Sequence, residues 1–565
     1  MLALLLLASC SKSDSELSSV DDGAGGETAS GPPTLALTRP ARGAFTGRQQ
    51  VELVGEVKKG GAPIAELTYN GETITSAGDG SFTVELYEQY GINLVDVRAE
   101  DQDEEEAIEA LSFHAGPTHT PGEELKRVIK AQIGASLVED LASFAAEVLE
   151  DDSLADSFEG VEQKTDYAAI TPTSITWTGA HVELELEDDL IVATIVLTDI
   201  QVDMEITGVG WYDWIGTTAV ATMNSATIYA ELSVESGGGQ VSVEAGETTA
   251  GLSGYVISID WFPDTFEDDV ADWTRTLIEE QVAGLLSETL TSVVGGLVDA
   301  FELDLDLGSG VSVGLSAADA DVSSTGILLT LDGLVSAPQG SWPDGAGSLD
   351  KDGTPPAWPL DGSRPFALAV DEDFANQFLF ALWSSGVMSG LSLTADDLGE
   401  VEVPPPLGPI TSVDISVGLP PVLQLSDGGE GLAELGVGEL MVHLNRTDDS
   451  LITLAVGLVC AVDLVIEDDT LTLDWLTTDL DIAVGVPNVP EGLSAPSLAA
   501  LGRVTVPVVL GVSEGYVEGF PLPSFDLGET TGLAPLQGVV LTPTNLSVGE
   551  TGDGWLLVSG ELDGL

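Results

Sequence analysis

Between residues 34 and 115 apolar and polar positions alternate in short runs. Examples are Val51-Glu52-Leu53-Val54, Phe82-Thr83-Val84-Glu85-Leu86 and Asn93-Leu94-Val95-Asp96-Val97, with breaks at Asn70-Gly71 and Gly78-Asp79-Gly80. A period of two punctuated by such turns predicts a small all-β sandwich over 34–116. From 121 to 150 the spacing changes: Leu125, Val128, Ile129, Ile133, Leu137, Leu141, Phe144 and Val148 stand three or four residues apart. That predicts one amphipathic helix of about eight turns. The period returns to two from 175 to 261, in runs longer than an ordinary strand. A second helix is expected to open at Asp264-Thr265, with Asp268 three residues past Thr265 as in a capping box. Its apolar positions, among them Leu277, Ile278, Leu285, Leu286, Val293 and Val294, continue to Phe301. At 1.5 Å per residue this helix is about 50 Å long, and its apolar face is broader than a surface helix needs.

Strand-like runs occupy 311–334, and Pro, Gly and Asp then mark 341–365 as a linker. Beyond it, Asp371 is placed to cap a third helix that carries Phe374, Phe378 and Leu382. Strands follow over 391–486, then an apolar, helix-like stretch over 495–516 that includes Val509, then short strands at 539–541 and 555–558. The same plan of apolar helix and long strands thus occurs twice, over 117–340 and 366–565. Such repetition points to an internally duplicated fold.

The 565 residues include 95 acidic and 16 basic ones, a formal charge of −79. So acidic a chain excludes nucleic acid as a partner. Disorder is excluded as well, because 43% of residues are hydrophobic and the mean hydropathy is +0.23. The acids come as scattered doublets such as Asp188-Asp189 and Asp468-Asp469, which read as a hydrated surface suited to a salty habitat. No loop has the spacing of an EF-hand.

Residues 2 to 7 are apolar, and Leu7-Ala8-Ser9-Cys10 places small residues ahead of a cysteine, which resembles a bacterial lipoprotein signal. On that resemblance 1–9 is a signal peptide and Cys10 the acylated N-terminus. Residues 10–33 then form a polar tether, and the expected location is the bacterial cell envelope, as an outer-membrane lipoprotein. The other cysteine, Cys460, falls within an apolar run, so a disulfide framework is excluded and a buried thiol expected. Elsewhere no run of 18 apolar residues occurs.

Catalytic signals are weak. Gly511-Val512-Ser513-Glu514-Gly515 has nucleophile-elbow spacing, yet Gly519-Phe520-Pro521 follows at once and the last histidine, His443, lies upstream. His114, His119, His181 and His443 show no metal-ligand spacing. Trp211, Tyr212 and Trp214 form a local aromatic cluster suited to a core or a membrane interface. The expectation is a non-enzyme with no cofactor.

Three segments carry a family resemblance. Gly519-Phe520-Pro521-Leu522-Pro523, with Val539-Val540-Leu541-Thr542-Pro543 and a last apolar strand at Trp555, resembles the C-terminus of the bactericidal/permeability-increasing and lipopolysaccharide-binding protein family. Phe366-Ala367-Leu368-Ala369-Val370-Asp371 and Ala381-Leu382-Trp383-Ser384-Ser385-Gly386 look like the opening of that family's second barrel, preceded by the linker Pro355-Pro356-Ala357-Trp358-Pro359. The run from 34 to 116 is similar to bacterial Ig-like modules. The resemblance implies an α+β fold: two elongated, boomerang-like barrels of curved antiparallel sheet, each wrapped on a long helix and joined by a central sheet.

It also implies a lipid-binding or lipid-transfer role with a phospholipid or other two-tailed amphiphile as partner. The implied pocket lining is Leu125, Ile129, Leu137, Leu141, Leu277, Ile278, Leu285, Leu286, Val293, Val294, Phe374, Phe378, Leu382 and Val509. The family's first-barrel disulfide and basic tip have no counterpart here, so lipid tails rather than phosphates are the implied cargo. The competing expectation is a surface adhesion or structural lipoprotein on the same scaffold, without cargo.

Overall fold

The structure, a computed structural model, describes residues 31–563 with interruptions, the longest at 150–161, 395–409, 504–519 and 527–539. Residues 34–115 form two antiparallel sheets. Thr34–Arg39, Val51–Lys58 and Ser81–Leu86 make one; Glu72–Thr73, Ile64–Tyr69, Gly91–Asp101 and Glu106–Ala115 make the other. Leu53, Val57, Phe82, Val95, Val97, Leu111 and Phe113 fill the space between them. The tight turn before Glu72 needs two positive φ angles, and Asn70 (45°) and Gly71 (82°) supply them.

A central sheet of eight strands draws on both halves of the remaining chain. Its order is Leu303–Asp306, Ser312–Ser323, Gly326–Ser336, Leu125–Gly134, Phe366–Asp371, Trp555–Asp563, Val540–Glu550 and Phe525–Asp526. Two seven-stranded antiparallel sheets are inserted between its strands in sequence, the first after Leu125–Gly134 and the second after Phe366–Asp371. The first contains Ala168–Thr176, Gly179–Glu187, Leu190–Gly208, Gly216–Gly237 and Gln240–Ser253; the second contains Ile410–Val417, Ala433–Arg446, Leu451–Glu467 and Thr470–Asn488. Helices α1 (Ala135–Leu149) and α2 (Asp264–Asp299) belong to the first half, and α3 (Glu372–Ser384) follows the linker. Residues 495–503 are also helical.

The α+β expectation of two barrels, each wrapped on a long helix, is corrected. Of the described residues 62% lie in strands and 15% in four helices, and the first sheet is a half-barrel. Its path ends at Gln163–Lys164 and Gln240–Ser253, which do not pair with each other. Helix α2 has 36 residues but packs along the edge strand Gln240–Ser253 instead of being enclosed. Past the linker, the described helices are the 13-residue α3 and the short segment 495–503.

The single helix expected over 121–150 is corrected too. Leu125–Gly134 is a strand, and only Ala135–Leu149 is helical. The strand lies inside the central sheet between Gly326–Ser336 and Phe366–Asp371, and Leu125, Val128, Ile129, Ala131 and Ile133 are buried together in the first-half core. Lys126 and Arg127 stay exposed, Arg127 with a φ of 57°, at a bulge where the pairing slips between Leu331 opposite Ile129 and Gly333 opposite Leu125, and that slip leaves Leu125, Val128, Ile129 and Ile133 at spacings that imitate a helix.

The sandwich does not stand apart. In its last strand Leu111, Phe113 and Ala115 enter the sandwich core, while Ile108, Ala110 and Ser112 meet the second seven-stranded sheet. Glycines make this approach feasible. A Cβ on Gly485 would lie 2.4 Å from the Ala110 nitrogen, and one on Gly457 would lie 2.3 Å from Ser112 Oγ. Glu439, 5% exposed, accepts the Ser112 N–H at 2.5 Å and pairs with Arg42, which also pairs with Glu109. Arg503 reaches Asp96 at 2.6 Å.

Candidate functional site

The apolar interior of the first half is built on one face of the half-barrel sheet. Along Leu190–Gly208 burial alternates, with Ile191, Ala193, Ile195 and Leu197 inward and their neighbours outward. The neighbouring strand sets Leu232, Ala230, Ile228 and Ala226 opposite these four residues in turn. Helix α1 packs on the edge strand Gly179–Glu187 and on the central sheet, and α2 packs on the opposite edge strand. The indole N–H of Trp177 donates to the Leu149 carbonyl at 2.8 Å, at the end of α1. Tyr255 donates to the Ala271 carbonyl of α2 at 3.0 Å, and burial pushes its phenol up to about 12.

Leu125, Ile129, Leu137, Leu141, Leu277, Ile278, Val293 and Val294 come together here in one cluster with the inner face of the sheet. They derive from a central-sheet strand and both helices, and each is at most 4% exposed. Surface that lines an open channel stays accessible, so in this state these side chains pack against one another. Polar groups are scarce. Between 168 and 301 the buried polar side chains among the described residues are Thr274, Ser287 and Thr289, all uncharged and all on α2. No local pattern in the sequence marks these hydroxyls, which stand among apolar and charged neighbours alike, such as Trp273, Arg275 and Glu288. Leu285 and Leu286 lie outside the described side chains; Val509, Trp211, Tyr212, Trp214, Cys10 and Ser513 lie outside the described residues.

The α3 residues lie elsewhere. Phe374 touches the edge of the first-half interior and, with Phe378, a small cluster of Val311, Val335 and Ala381. Leu382 is 4% exposed. The helix packs on Gly326–Ser336, Ser348–Leu349 and Val422–Leu425, and its amides fasten it there. Asn376 exchanges hydrogen bonds of 2.9 and 2.8 Å with the Leu423 backbone, and Gln377 accepts the Val335 N–H at 2.8 Å. Asp371 caps the helix by accepting the Asp373 N–H. The second half's own interior is filled instead by Ile452, Leu454, Val456, Leu458, Cys460, Val484 and Leu498.

No family model matches the chain, and no curated protein matches it. Among solved structures the chain is similar to lipopolysaccharide binding protein, with a TM-score of 0.38 and 11% identity, over 79% of this chain and 100% of that one. It is also similar to P47 of Clostridium botulinum E1, with a TM-score of 0.27 and 9% identity, over 78% of this chain and 100% of that one. P47 from Clostridium botulinum A2 gives the same TM-score and identity, over 78% and 98%. Likeness at TM-scores below 0.5 carries no weight for function, so what the chain does has to come from its own interior.

Proposed function

We propose that the first half binds lipid, taking an acyl chain between α1, α2 and the inner face of the half-barrel sheet. The supporting observation is the uncharged interior. A chain with 95 acidic residues buries none of them between 168 and 301 among the described residues, and closes that space with two helices docked on opposite edge strands. Helices held by side-chain packing can move outward without breaking a backbone ladder, and each methylene then buried contributes about 0.8 kcal/mol. Headgroups stay at the acidic surface, which favours neutral or zwitterionic lipids over anionic ones. Acylation at Cys10 would hold the protein at the bacterial envelope, where it would exchange lipid with membranes.

The packing of the lining residues at 0–4% exposure favours a second reading, a closed structural or adhesion scaffold without cargo. One experiment separates the two. The Cys10→Ser chain is purified without detergent, its lipid is extracted and identified by mass, and transfer of a fluorescent phosphatidylcholine between vesicles is followed. Lipid near one per chain together with protein-dependent transfer is the expected result. A lipid-free protein that neither binds nor transfers the probe would leave the scaffold reading.

A further inference from the structure

We propose that His119, Asp350 and Asp373 bind a divalent transition cation of the Zn²⁺ class. The three come from separate segments: the short strand Thr118–His119, the residue after its partner strand Ser348–Leu349, and the first turn of α3. His119 Nε2 lies 3.1 Å from Asp373 Oδ2 and 3.6 Å from Asp350 Oδ1, and one ligand atom from each residue falls within 4.8 Å of the other two. Donors about 2.1 Å from a metal stand about 3.0 Å apart at adjacent octahedral positions and about 3.4 Å apart at tetrahedral ones. At 3.1 Å the imidazole and Asp373 are hydrogen-bonded to each other, and both edges have a spacing that an ion taking the place of the shared proton would keep. One imidazole nitrogen with two carboxylate oxygens suits zinc and its neighbours, whereas Ca²⁺ and Mg²⁺ take oxygen alone.

The surrounding groups orient the donors. Asp373 Oδ1 accepts the Lys351 N–H at 2.9 Å, which leaves Oδ2 toward His119, and Asp371 Oδ1 accepts the Asp373 N–H at 3.0 Å. Asp350 donates its N–H to the Pro117 carbonyl at 3.0 Å, and the pairing of Ser348 with His119 fixes it beside the imidazole. Outer partners of this kind are what hold metal ligands in register. The Asp350 side chain is 38% exposed, so an ion has a way in and room to keep water, while that of Asp373 is only 11% exposed. Glu372, 2% exposed, adds a further buried carboxylate next to the triad and is paired with Lys351 at 2.9 Å. A bound cation would offset that concentration of negative charge and tie the linker and α3 to the segment entering the first half.

The test is calorimetric titration of the full Cys10→Ser chain with ZnCl₂ after EDTA treatment, with Co²⁺ absorption as a spectroscopic readout of the donor set. One saturable site is expected. His119→Ala should weaken it by more than the roughly 10–100-fold that losing an outer partner costs. Asp350→Asn, on an exposed side chain, should weaken it at least about tenfold, and Asp188→Asn/Asp189→Asn, on a distant turn, should leave it intact. Absence of a saturable site in the parent would overturn the proposal. So would unchanged affinity in either ligand variant, or equal loss in the distant variant, which would mark adventitious attraction to an acidic surface. If His119→Ala does not fold by circular dichroism, Asp350→Asn decides alone.

Discussion

His114 sits in the last strand of the sandwich, fully buried, its ring 5.1 Å from that of Phe45, with neither ring nitrogen hydrogen-bonded. Its backbone is fixed by bonds to Ala44 and Thr46 at 2.8 and 2.9 Å, so the ring cannot easily leave. Burial lowers its pKa from 6.5 to about 4. The unfolded chain therefore takes up the proton first as pH falls. The neutral ring's share of stability is intact above about pH 6.5 and lost progressively down to about pH 4. At 1.36 kcal/mol per unit the whole loss is about 3 kcal/mol, of which about 2 kcal/mol falls between pH 7 and pH 5. The assay is urea unfolding of the parent and of His114→Leu at both pH values. Protonating carboxylates relieves repulsion in a chain of charge −79, but it does so in both proteins, so the difference between their pH slopes isolates the imidazole. Parallel slopes would refute the reasoning and mean that the ring is solvated or finds a partner once charged.

Glu439→Ala strands the buried Ser112 N–H and removes a partner of Arg42, for an expected loss of about 2–4 kcal/mol; urea unfolding measures it, and Glu439→Gln should recover part by restoring an acceptor. Gly485→Ala places a methyl 2.4 Å from the Ala110 nitrogen and should cost about 1–3 kcal/mol, with faster proteolysis between the sandwich and the second sheet; unchanged cleavage would show that the seam can yield. Cys10→Ser should shift the protein from the membrane to the soluble fraction on cell fractionation, and retention in the membrane would refute the anchor.

The lipid proposal turns on the cost of opening. An acyl chain can displace only contacts that the protein re-forms around it, so the elements that move must leave backbone hydrogen bonds intact. The sheet strands are locked by ladders such as the continuous register between Leu190–Gly208 and Gly216–Gly237. Helices α1 and α2 satisfy their own backbones and meet the sheet through side chains alone along most of their length, which makes them the movable walls. The hydroxyls of Thr274, Ser287 and Thr289 on α2 mark the wall where polar atoms already tolerate burial.

How legible each part was follows from what covers it. Strands covered on one face keep the alternation of period two, so the sandwich runs at 51–54, 82–86 and 93–97 and the strands of 175–261 could be read directly, and α2 could be followed from apolar positions that recur as far as Phe301. Leu125–Gly134 could not, because the bulge at Arg127 breaks its alternation after Leu125 and puts Val128 and Ile129 side by side. Burial on both faces hides the alternation in Leu451–Glu467, where Ile452, Leu454, Val456 and Leu458 face the core while Ala455 and Gly457 lie under the sandwich. That unbroken apolar run shows burial but not the identity of the covering element. Small residues such as Gly457 and Gly485 acquire meaning only when the opposing strand is seen, and Glu439 serves Ser112 from 327 residues away. His119 and Asp373 are 254 residues apart in the chain yet 3.1 Å apart in space. Spacing rules register ligands that share one helix or loop, so a cluster assembled by the pairing of two-residue strands leaves no local trace.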